Sequence, residues 1–282
     1  MIWMKKASFW KTLKDGRVMC LLCPNHCILK DHQCGICLSR VNLNGVLYTR
    51  NYGEITIMRK DTMNQRLLYF KPDIKTISIG SWGCNLACSW CYNWEISRYR
   101  PDHLIKKISP VALVGMLNDT KAIVFTYNEP ITWYEYIMDV CKLLPRDVDI
   151  ILNTNAYVER EPWQELLNYV TALNVDLKAF SPFKYAIGPK GHFESVLVAL
   201  EECVKRGKHV EVTFTLIEGF NDDLEEFKKL VKYISSLNEN IPLHIRRGYP
   251  AFKYEKEPVS LSTLKLFKTI ALKYLRRVEI VL

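Results

Sequence analysis

The stretch GCNLACSWCYNWE, residues 83–95, places Cys84, Cys88 and Cys91 within eight positions. Three thiolates in a short loop can hold three irons of a [4Fe–4S] cluster, whereas a ferredoxin supplies a fourth cysteine and closes the cluster. The remaining iron would be open to a substrate or cofactor, as the free position of a catalytic zinc site is. The alternative is a structural zinc site that borrows its fourth ligand from elsewhere in the chain.

No fourth cysteine follows this loop closely. The next two, Cys141 and Cys203, fall in apparent helix patterns and are most simply packed thiols. Gly83 can give the loop a tight bend, and the small side chains of Ala87 and Ser89 let backbone amides approach the cluster sulfides. These features favour a cluster with an open iron.

From residue 74 onward, short β-branched runs alternate with amphipathic segments. We predict strands at 74–80, 121–127, 148–154, 170–177, 209–217 and 241–247, and a last strand in 276–282. We predict helices at 133–144, 161–168, 193–206 and 223–237, the last with an Asn/Asp cap. Such βα units predict a parallel sheet, curved or open, with about six units where a closed barrel has eight.

Polar residues follow nearly every predicted strand. In parallel α/β folds the working residues lie at the carboxyl ends of the strands, so these positions predict one central site. The strand ends carry Cys84, Asn128-Glu129, Asn153 to Asn155, Asp176 to Lys178, Thr213 to Thr215, and His244 to Arg246.

Composition fits one large domain, or one with a small appendage, because the 282 residues are 49% hydrophobic and 24% charged. The net charge of +9 suits a nucleic acid, an acidic protein or a phosphorylated substrate, although no dense basic arm is present. We see no signal peptide and no apolar run near the roughly 18 residues of a membrane span. We therefore expect a cytoplasmic protein without a membrane partner, whose ten cysteines serve metal or redox chemistry.

A second cysteine group lies near the start of the chain, at Cys20, Cys23, Cys27, Cys34 and Cys37. Four ligands suffice for zinc, so the group has one cysteine too many. Paired-knuckle spacing would select the first two and last two of them. Zinc, a second iron–sulfur cluster that passes electrons to the first, and coupled disulfides all stay open.

This region defines the predicted domain boundary. We assign residues 1–70 to a cysteine-rich extension with a short β-hairpin, or two short strands, in 45–59, and residues 71–282 to the βα series.

The pattern Cys84-x3-Cys88-x-Trp90-Cys91 resembles the signature of the radical S-adenosylmethionine (SAM) superfamily. The resemblance implies a partial (β/α)6 barrel in which these cysteines hold a [4Fe–4S] cluster and the open iron chelates SAM. One electron, from a reductant such as ferredoxin or flavodoxin, then cleaves SAM to a 5′-deoxyadenosyl radical that abstracts hydrogen from the substrate.

Further motifs extend the resemblance over most of residues 20–250. TYNEP, 126–130, stands where the family has Gly-Gly-Glu-Pro, which implies that Asn128 and Glu129 face the SAM amino group. NTNAY, 153–157, and VDLKAF, 175–180, resemble stretches of pyruvate formate-lyase activating enzymes, with Ala156 in place of a glycine. LIEGFND, 216–222, resembles the family's stretch after the fifth strand.

These motifs imply a set of SAM-binding residues. Lys178 would balance the methionine carboxylate, and Asp176 would bind a ribose hydroxyl or orient Lys178. The alternative for this pair is a simple strand-end ion pair. The implied cofactor-binding set is Trp90, Asn128, Glu129, Asn155, Asp176, Lys178 and Thr215.

A narrower likeness is to the activase-related group named AmmeMemoRadiSam, through residues 20–40, 45–55 and the segment HIRRGYPAF, 244–252. The group pattern implies Cys20, Cys23, Cys27 and Cys37 as the N-terminal ligands, with Cys34 as the alternative. TMNQRLL, 62–68, departs from the group, which has Ile-Glu-Lys-Lys-Pro-Leu there. If those lysines touch a partner, this chain uses a different one.

The leading functional hypothesis is a radical SAM enzyme of the activating type, acting on a protein segment or another large molecule laid across the barrel. His244 and Arg246, with the neighbouring Arg247, are the candidate substrate contacts. RNA or a small metabolite is the alternative target. A non-enzymatic zinc or iron–sulfur module is the second alternative, and it predicts no SAM binding.

Overall fold

The structure is a computed structural model that describes residues 4–282. The strands are β1 (Lys5–Lys6), β2 (Trp10–Thr12), β3 (Val18–Cys20), β4 (Ile28–Leu29), β5 (Arg40–Leu43), β6 (Val46–Thr49), β7 (Glu54–Ile55), β8 (Ile57–Thr62), β9 (Lys75–Gly80), β10 (Lys106–Lys107), β11 (Ala122–Phe125), β12 (Asp149–Thr154), β13 (Ala172–Leu177), β14 (His209–Leu216), β15 (Leu243–Arg247) and β16 (Val278–Val281).

The helices lie mainly between the later strands. They are α1 (Trp94–Ser97), α2 (Pro110–Gly115), α3 (Tyr134–Leu143), α4 (Arg160–Leu167), α5 (Pro182–Ile187), α6 (Phe193–Lys205), α7 (Leu224–Leu237) and α8 (Leu261–Ala271), with 3₁₀ turns at Met63–Gln65, Asp102–Leu104 and Pro130–Trp133. No helix within residues 4–282 is both long enough and apolar enough to cross a bilayer.

The central sheet has eight strands in the order β16-β15-β14-β13-β12-β11-β9-β8. β9 and β11 to β16 run parallel, and β8 is added antiparallel at the edge. Each predicted strand is present with its ends shifted by two residues or fewer. The prediction of a partial α/β barrel is therefore confirmed.

The long helices form where apolar residues recur at helical spacing behind a cap. At α7, the Asp223 carboxylate accepts a hydrogen bond from the amide of Glu226 at 2.7 Å, as the predicted Asn/Asp cap requires. The sequence analysis missed α8, although Ser260 caps it and Leu264 and Phe267 are buried on one face. The sequence carried a signal for α8, because these two apolar residues stand at the helical spacing of three.

Part of the predicted extension, residues 1–70, pairs with the barrel. Residues 57–62 form β8 and belong to the barrel sheet. Residues 63–70, here called the strap, then cross the amino-terminal end of the barrel. Met63 and Leu67 are fully buried against the inward-facing residues of β11, β12 and β13. We assigned the strap to the extension because its apolar residues do not recur with the period of a strand or a helix.

The segment 45–59 holds short strands, as predicted, but they do not pair with one another as a hairpin. β5 and β6 form the hairpin, through Asn44 and Gly45, whose positive φ angles of 52° and 79° are those of a tight two-residue turn. β7 instead pairs with β10, and β8 with β9.

Candidate active site

A cavity of about 500 Å³ opens at the carboxyl ends of the parallel strands. It is lined by residues from the Cys84 loop and from the ends of β11 to β15. Of the residues predicted to hold the cluster, the cofactor or the substrate, all but His244 line it, namely Cys84, Cys88, Trp90, Cys91, Asn128, Glu129, Asn155, Asp176, Lys178, Thr215 and Arg246. The fold thus gathers residues that are far apart in sequence.

The cysteine loop is held in a fixed shape. Gly83 has a φ of +95°, and a Cβ added there would lie 2.6 Å from the carbonyl oxygen of Cys37. The amide of Ala87 donates to the carbonyl of Pro189 at 2.7 Å, and the amide of Leu86 donates to the Cys84 sulfur at 3.4 Å. Only glycine fits at the bend, because any side chain would meet the extension's backbone.

Asn128 supports this loop from the neighbouring strand end. Its side-chain oxygen accepts from the amide of Ser81 at 2.9 Å, and its amide group donates to the carbonyl of Gly83 at 2.9 Å. The Asn128 side chain is therefore engaged in positioning the cysteine loop. Trp90, from the loop itself, packs on Phe220 with ring centroids 4.5 Å apart.

The chemistry of the three thiols fits a metal cluster. Burial raises the pKa of Cys88 to about 12, against the opposing charge of Lys178, and raises the pKa of Cys84 well above its usual value. Such thiols stay protonated unless a metal cation takes the place of the proton.

No three His, Cys, Asp or Glu side chains in residues 4–282 converge closely enough to hold a single ion. Cluster thiolates each bind a different iron, so a single point of convergence is not required. Cys203 donates to the carbonyl of Ala199 within α6, and Cys141 is buried in α3, so neither reaches the cavity.

Glu129 lies beside the cysteine loop and is almost fully buried. Its carboxylate accepts from the hydroxyl of Thr154 at 2.6 Å and from the amides of Asn155 and Ile131 at 2.8 and 3.0 Å. Burial raises the pKa of Glu129, although these donors and the charge of Lys178 act against it. Its hydrogen-bond donors among the described residues are all uncharged, so no cation in the described chain is hydrogen-bonded to the carboxylate.

Two backbone positions at the site adopt the left-handed conformation that favours glycine. Tyr127 has a φ of 72° and Ala156 a φ of 53°. Both occupy places where the family motifs carry glycine. Both residues therefore hold a backbone conformation that glycine adopts freely, at a cost of roughly 1–2 kcal/mol for each residue.

Asp176 and Lys178 form an ion pair with a Nζ–Oδ2 distance of 2.5 Å. Burial alone would lower the pKa of Lys178, but Asp176 and the nearby Cys88 outweigh it, and the pKa is raised. The other carboxylate oxygen of Asp176, Oδ1, is buried and has no hydrogen-bond partner within the described chain. Asp176 lines the cavity, and this oxygen is its acceptor without a partner.

Asn155 connects the strand end to the cysteine loop. Its side-chain amide donates to Asn85 at 3.1 Å and lies 3.8 Å from the Cys84 sulfur. Thr215 lines the opposite wall, half-buried, at the end of β14. The two residues thus frame the cavity from different sides of the barrel.

The mouth of the cavity carries basic and aromatic side chains. Arg246 is exposed there, and Arg247 donates to the carbonyl of Val259 at 2.8 Å while lying over the ring of Tyr249. The structure does not bring His244 to the cavity. It is buried one layer deeper, with Nε2 2.5 Å from Glu211. His244 therefore has a structural position, and its expected substrate contact is corrected.

Arg66 of the strap is a cavity residue that the sequence analysis missed. Its guanidinium donates to the hydroxyl of Tyr127 at 2.8 Å and pairs with Asp61 at 3.1 Å. The segment 62–68 had been noted for its departure from the group pattern. A basic side chain in the segment between β8 and β9 was the available signal.

The N-terminal cysteines divide into two sets. Cys20, Cys23, Cys27 and Cys37 line a second, small cavity. Cys34 lies outside it, where its sulfur accepts a hydrogen bond from Arg50 at 3.1 Å. All are free thiols.

Comparison with known proteins shows the family to which this architecture belongs. Residues 78–234 match the family model described as the Radical SAM superfamily. An uncharacterized protein of Methanocaldococcus jannaschii is 32% identical over 277 residues, covering 95% of this chain and 82% of the relative.

Solved structures share the fold. A radical SAM methyltransferase from Sphaerobacter thermophilus matches with a TM-score of 0.57 and 17% identity, over 75% of this chain and 67% of that one. SuiB of Streptococcus suis, solved bound to precursor peptide SuiA, matches with a TM-score of 0.54 and 12% identity, over 70% and 46%. From the family match and the relative, the chain belongs to the radical SAM superfamily, whose enzymes use a [4Fe–4S] cluster and SAM.

Proposed function

We propose that this chain cleaves SAM reductively and abstracts a hydrogen atom from a protein segment, in the manner of an activating enzyme. One observation carries the proposal. The three loop thiols share a cavity with Glu129, a buried carboxylate whose donors are uncharged, as a site for an ammonium group beside a cluster requires.

The chain's own residues have distinct tasks in this proposal. Cys84, Cys88 and Cys91 hold three irons, and Glu129 receives the ammonium group of SAM. Lys178 faces the methionine carboxylate, and Oδ1 of Asp176 accepts a hydrogen bond from a ribose hydroxyl. When bound and reduced by a one-electron donor, the cluster with SAM supplies the 5′-deoxyadenosyl radical.

A polypeptide substrate is supported by the surface around the mouth. Tyr92 is 81% exposed and Tyr249 is 42% exposed, and both line the opening together with the exposed Arg246. Aromatic rings and arginine are the side chains most enriched in protein interfaces. The same fold in SuiB is solved with a peptide bound. Arg246 would grip a carboxylate of the substrate.

The test is anaerobic reconstitution followed by addition of SAM and dithionite. We expect about four irons for the catalytic cluster and formation of 5′-deoxyadenosine. Cys88→Ala should lose both, while Cys203→Ala, which removes a buried thiol outside the cavity, should retain both. Cleavage by Cys88→Ala at the wild-type rate, or none by the iron-loaded wild type, would refute the assignment.

A further inference from the structure

An aromatic surface patch lies beside the cysteine loop. Trp94 stacks on Phe252 with the ring centroids 5.5 Å apart, and Tyr99 meets Trp94 edge to face at 5.8 Å. Tyr99 is 54% exposed, and the other two rings are half-buried. None of the three lines the cavity. These residues, here called the aromatic face, therefore form a surface distinct from the mouth.

A strained turn fastens the aromatic face to the cysteine loop. Residues 251–254 form this turn, which two backbone hydrogen bonds of 2.9 and 3.0 Å close. Within it, Phe252 has a φ of 57°, a left-handed conformation that costs roughly 1–2 kcal/mol for a residue with a side chain. The amide of Lys253 donates to the carbonyl of Ser89, inside the cysteine loop, at 2.9 Å. Strain of this kind clusters at functional sites, where the surrounding structure holds it.

Basic side chains border the aromatic face. The two segments that carry it, 92–107 and 246–257, each hold four Arg or Lys residues against two Asp or Glu residues. Lys253 is exposed, and its Nζ lies 5.3 Å from the ring centroid of Phe252. Positive charge accelerates the approach of an acidic protein, and aromatic rings are enriched in protein interfaces. The surface therefore has the chemistry of a docking site for an acidic protein.

The electron donor is the acidic protein that this position suits. Under the proposed function, a protein segment covers the mouth, and a donor that docks beside the mouth can deliver its electron while the mouth is occupied. The cysteine loop lies near the surface here, because Ser89 and Cys91 are half-buried, and Trp94 follows Cys91 by three residues. Electron-transfer partners form small, transient interfaces, so a patch of a few rings and cations suffices.

We propose that the aromatic face, with Lys253, is the docking surface for an acidic one-electron carrier protein. The proposal rests on the proposed function, which requires one electron for each SAM cleaved. The reduced carrier gives up one electron at this face and leaves in its oxidised form, the bound cluster takes up that electron, and no bond or proton is exchanged in the step. A flavodoxin is the probe for such a carrier.

The first experiment measures the affinity of oxidised flavodoxin for the full-length, reconstituted protein by titration calorimetry. Binding to the wild type should weaken as the salt concentration rises, because salt screens exposed charges. Lys253→Glu reverses one charge at the face and keeps the amide that holds Ser89, so affinity should fall about 10-fold. Lys265→Glu makes the same change on the exposed side of α8 and should bind as the wild type does. Equal affinities of the two variants, or no binding by the wild type, would overturn the proposal.

The second experiment compares two reductants, because dithionite is small and needs no docking surface. With dithionite, the wild type and both variants should form 5′-deoxyadenosine from SAM at the same rate. With photoreduced flavodoxin, Lys253→Glu should be about 10-fold slower, since a charge at an interface rim acts mainly on the association rate. Equal slowing with both reductants would mean that Lys253 supports the loop and does not dock a carrier, which overturns the proposal. If the iron-loaded wild type forms no 5′-deoxyadenosine with dithionite, the proposed function fails, and the binding comparison still decides the docking surface.

Discussion

Glu129 and Glu211 are both buried carboxylates inside the same barrel, and they differ in how completely they are neutralised. Glu211, at the amino-terminal end, accepts from the amides of Leu68 and Tyr69 and lies 2.9 and 2.5 Å from the Nε2 atoms of His209 and His244. Burial alone would raise its pKa, but these partners together hold the pKa at about 2.

Glu129, at the carboxyl end, has the opposite balance, because burial raises its pKa in spite of three donors. This difference between the two carboxylates indicates which of them needs a ligand. The carboxylate under the strap has all its partners within the protein and fastens the strap to the barrel, whereas the proposed function assigns to the carboxylate beside the cysteines a cation from outside.

Replacing Glu211 should produce the largest effect on stability. Glu211→Gln removes a charge that its donors stabilise, so the free energy of unfolding should fall by about 3 kcal/mol. Denaturant titration measures this change. Glu279→Gln, a half-exposed carboxylate that accepts from Tyr69, is the matched control and should cost about 1 kcal/mol or less. A loss in the control as large as that in Glu211→Gln would break the comparison.

The same contribution should disappear in acid. Because the pKa of Glu211 is lowered from 4.5 to about 2 on folding, its stabilisation is full above pH 4.5 and is lost as the pH falls toward 2. The stability difference between wild type and Glu211→Gln should therefore shrink across this window. Denaturation measured at pH 7, 4 and 3 tests it, and a constant difference would mean that the carboxylate is not preferentially ionised in the fold.

Glu129→Gln should affect ligand binding and leave stability intact. Losing the charged acceptor for the ammonium group should weaken SAM binding by about 2 kcal/mol, roughly 30-fold. Without SAM, the variant should be at least as stable as wild type at neutral pH, because the raised pKa means that the ionised carboxylate is disfavoured by folding. Equilibrium binding on the cluster-loaded protein measures the first effect. Wild-type affinity would show that Glu129 does not face the cofactor.

Thr154→Val should give the smallest change. It removes one neutral donor to Glu129 and keeps the side-chain shape, so SAM binding should weaken by about 1 kcal/mol, roughly fivefold. The matched change Thr213→Val removes a hydroxyl that donates to Asn174, outside the Glu129 network, and should leave SAM affinity unchanged. If both variants behave alike, Thr154 does not act through Glu129.

Most of the barrel and its site could be predicted because their signals are local. β-branched runs set the strands, and polar residues directly after them set the cavity wall, as at Glu129 and Lys178. The depth at which a residue lies inside the barrel could not be predicted from such local signals. His244 and Arg246 lie on the same face of β15, two residues apart, yet only Arg246 reaches the mouth. Alternation specifies the face of a strand but not the layer inside the barrel.

Contacts between residues far apart in the sequence could not be predicted either. The buried ion pair of Arg40 was not singled out, because its partner Glu135 lies 95 residues away and no local pattern marks a buried arginine. The strap was missed for a similar reason, since Met63 and Leu67 are buried by strands that follow them in the sequence.

The strap closes the amino-terminal end of the barrel, so molecules enter and leave the cavity through the mouth. A protein segment seated across Arg246 would then cover the cofactor beneath it. With such a substrate, SAM would have to load first, and the products of its cleavage would leave only after the protein has departed. The enzyme should therefore follow a compulsory order, with one turnover per encounter and without processive modification of one bound chain.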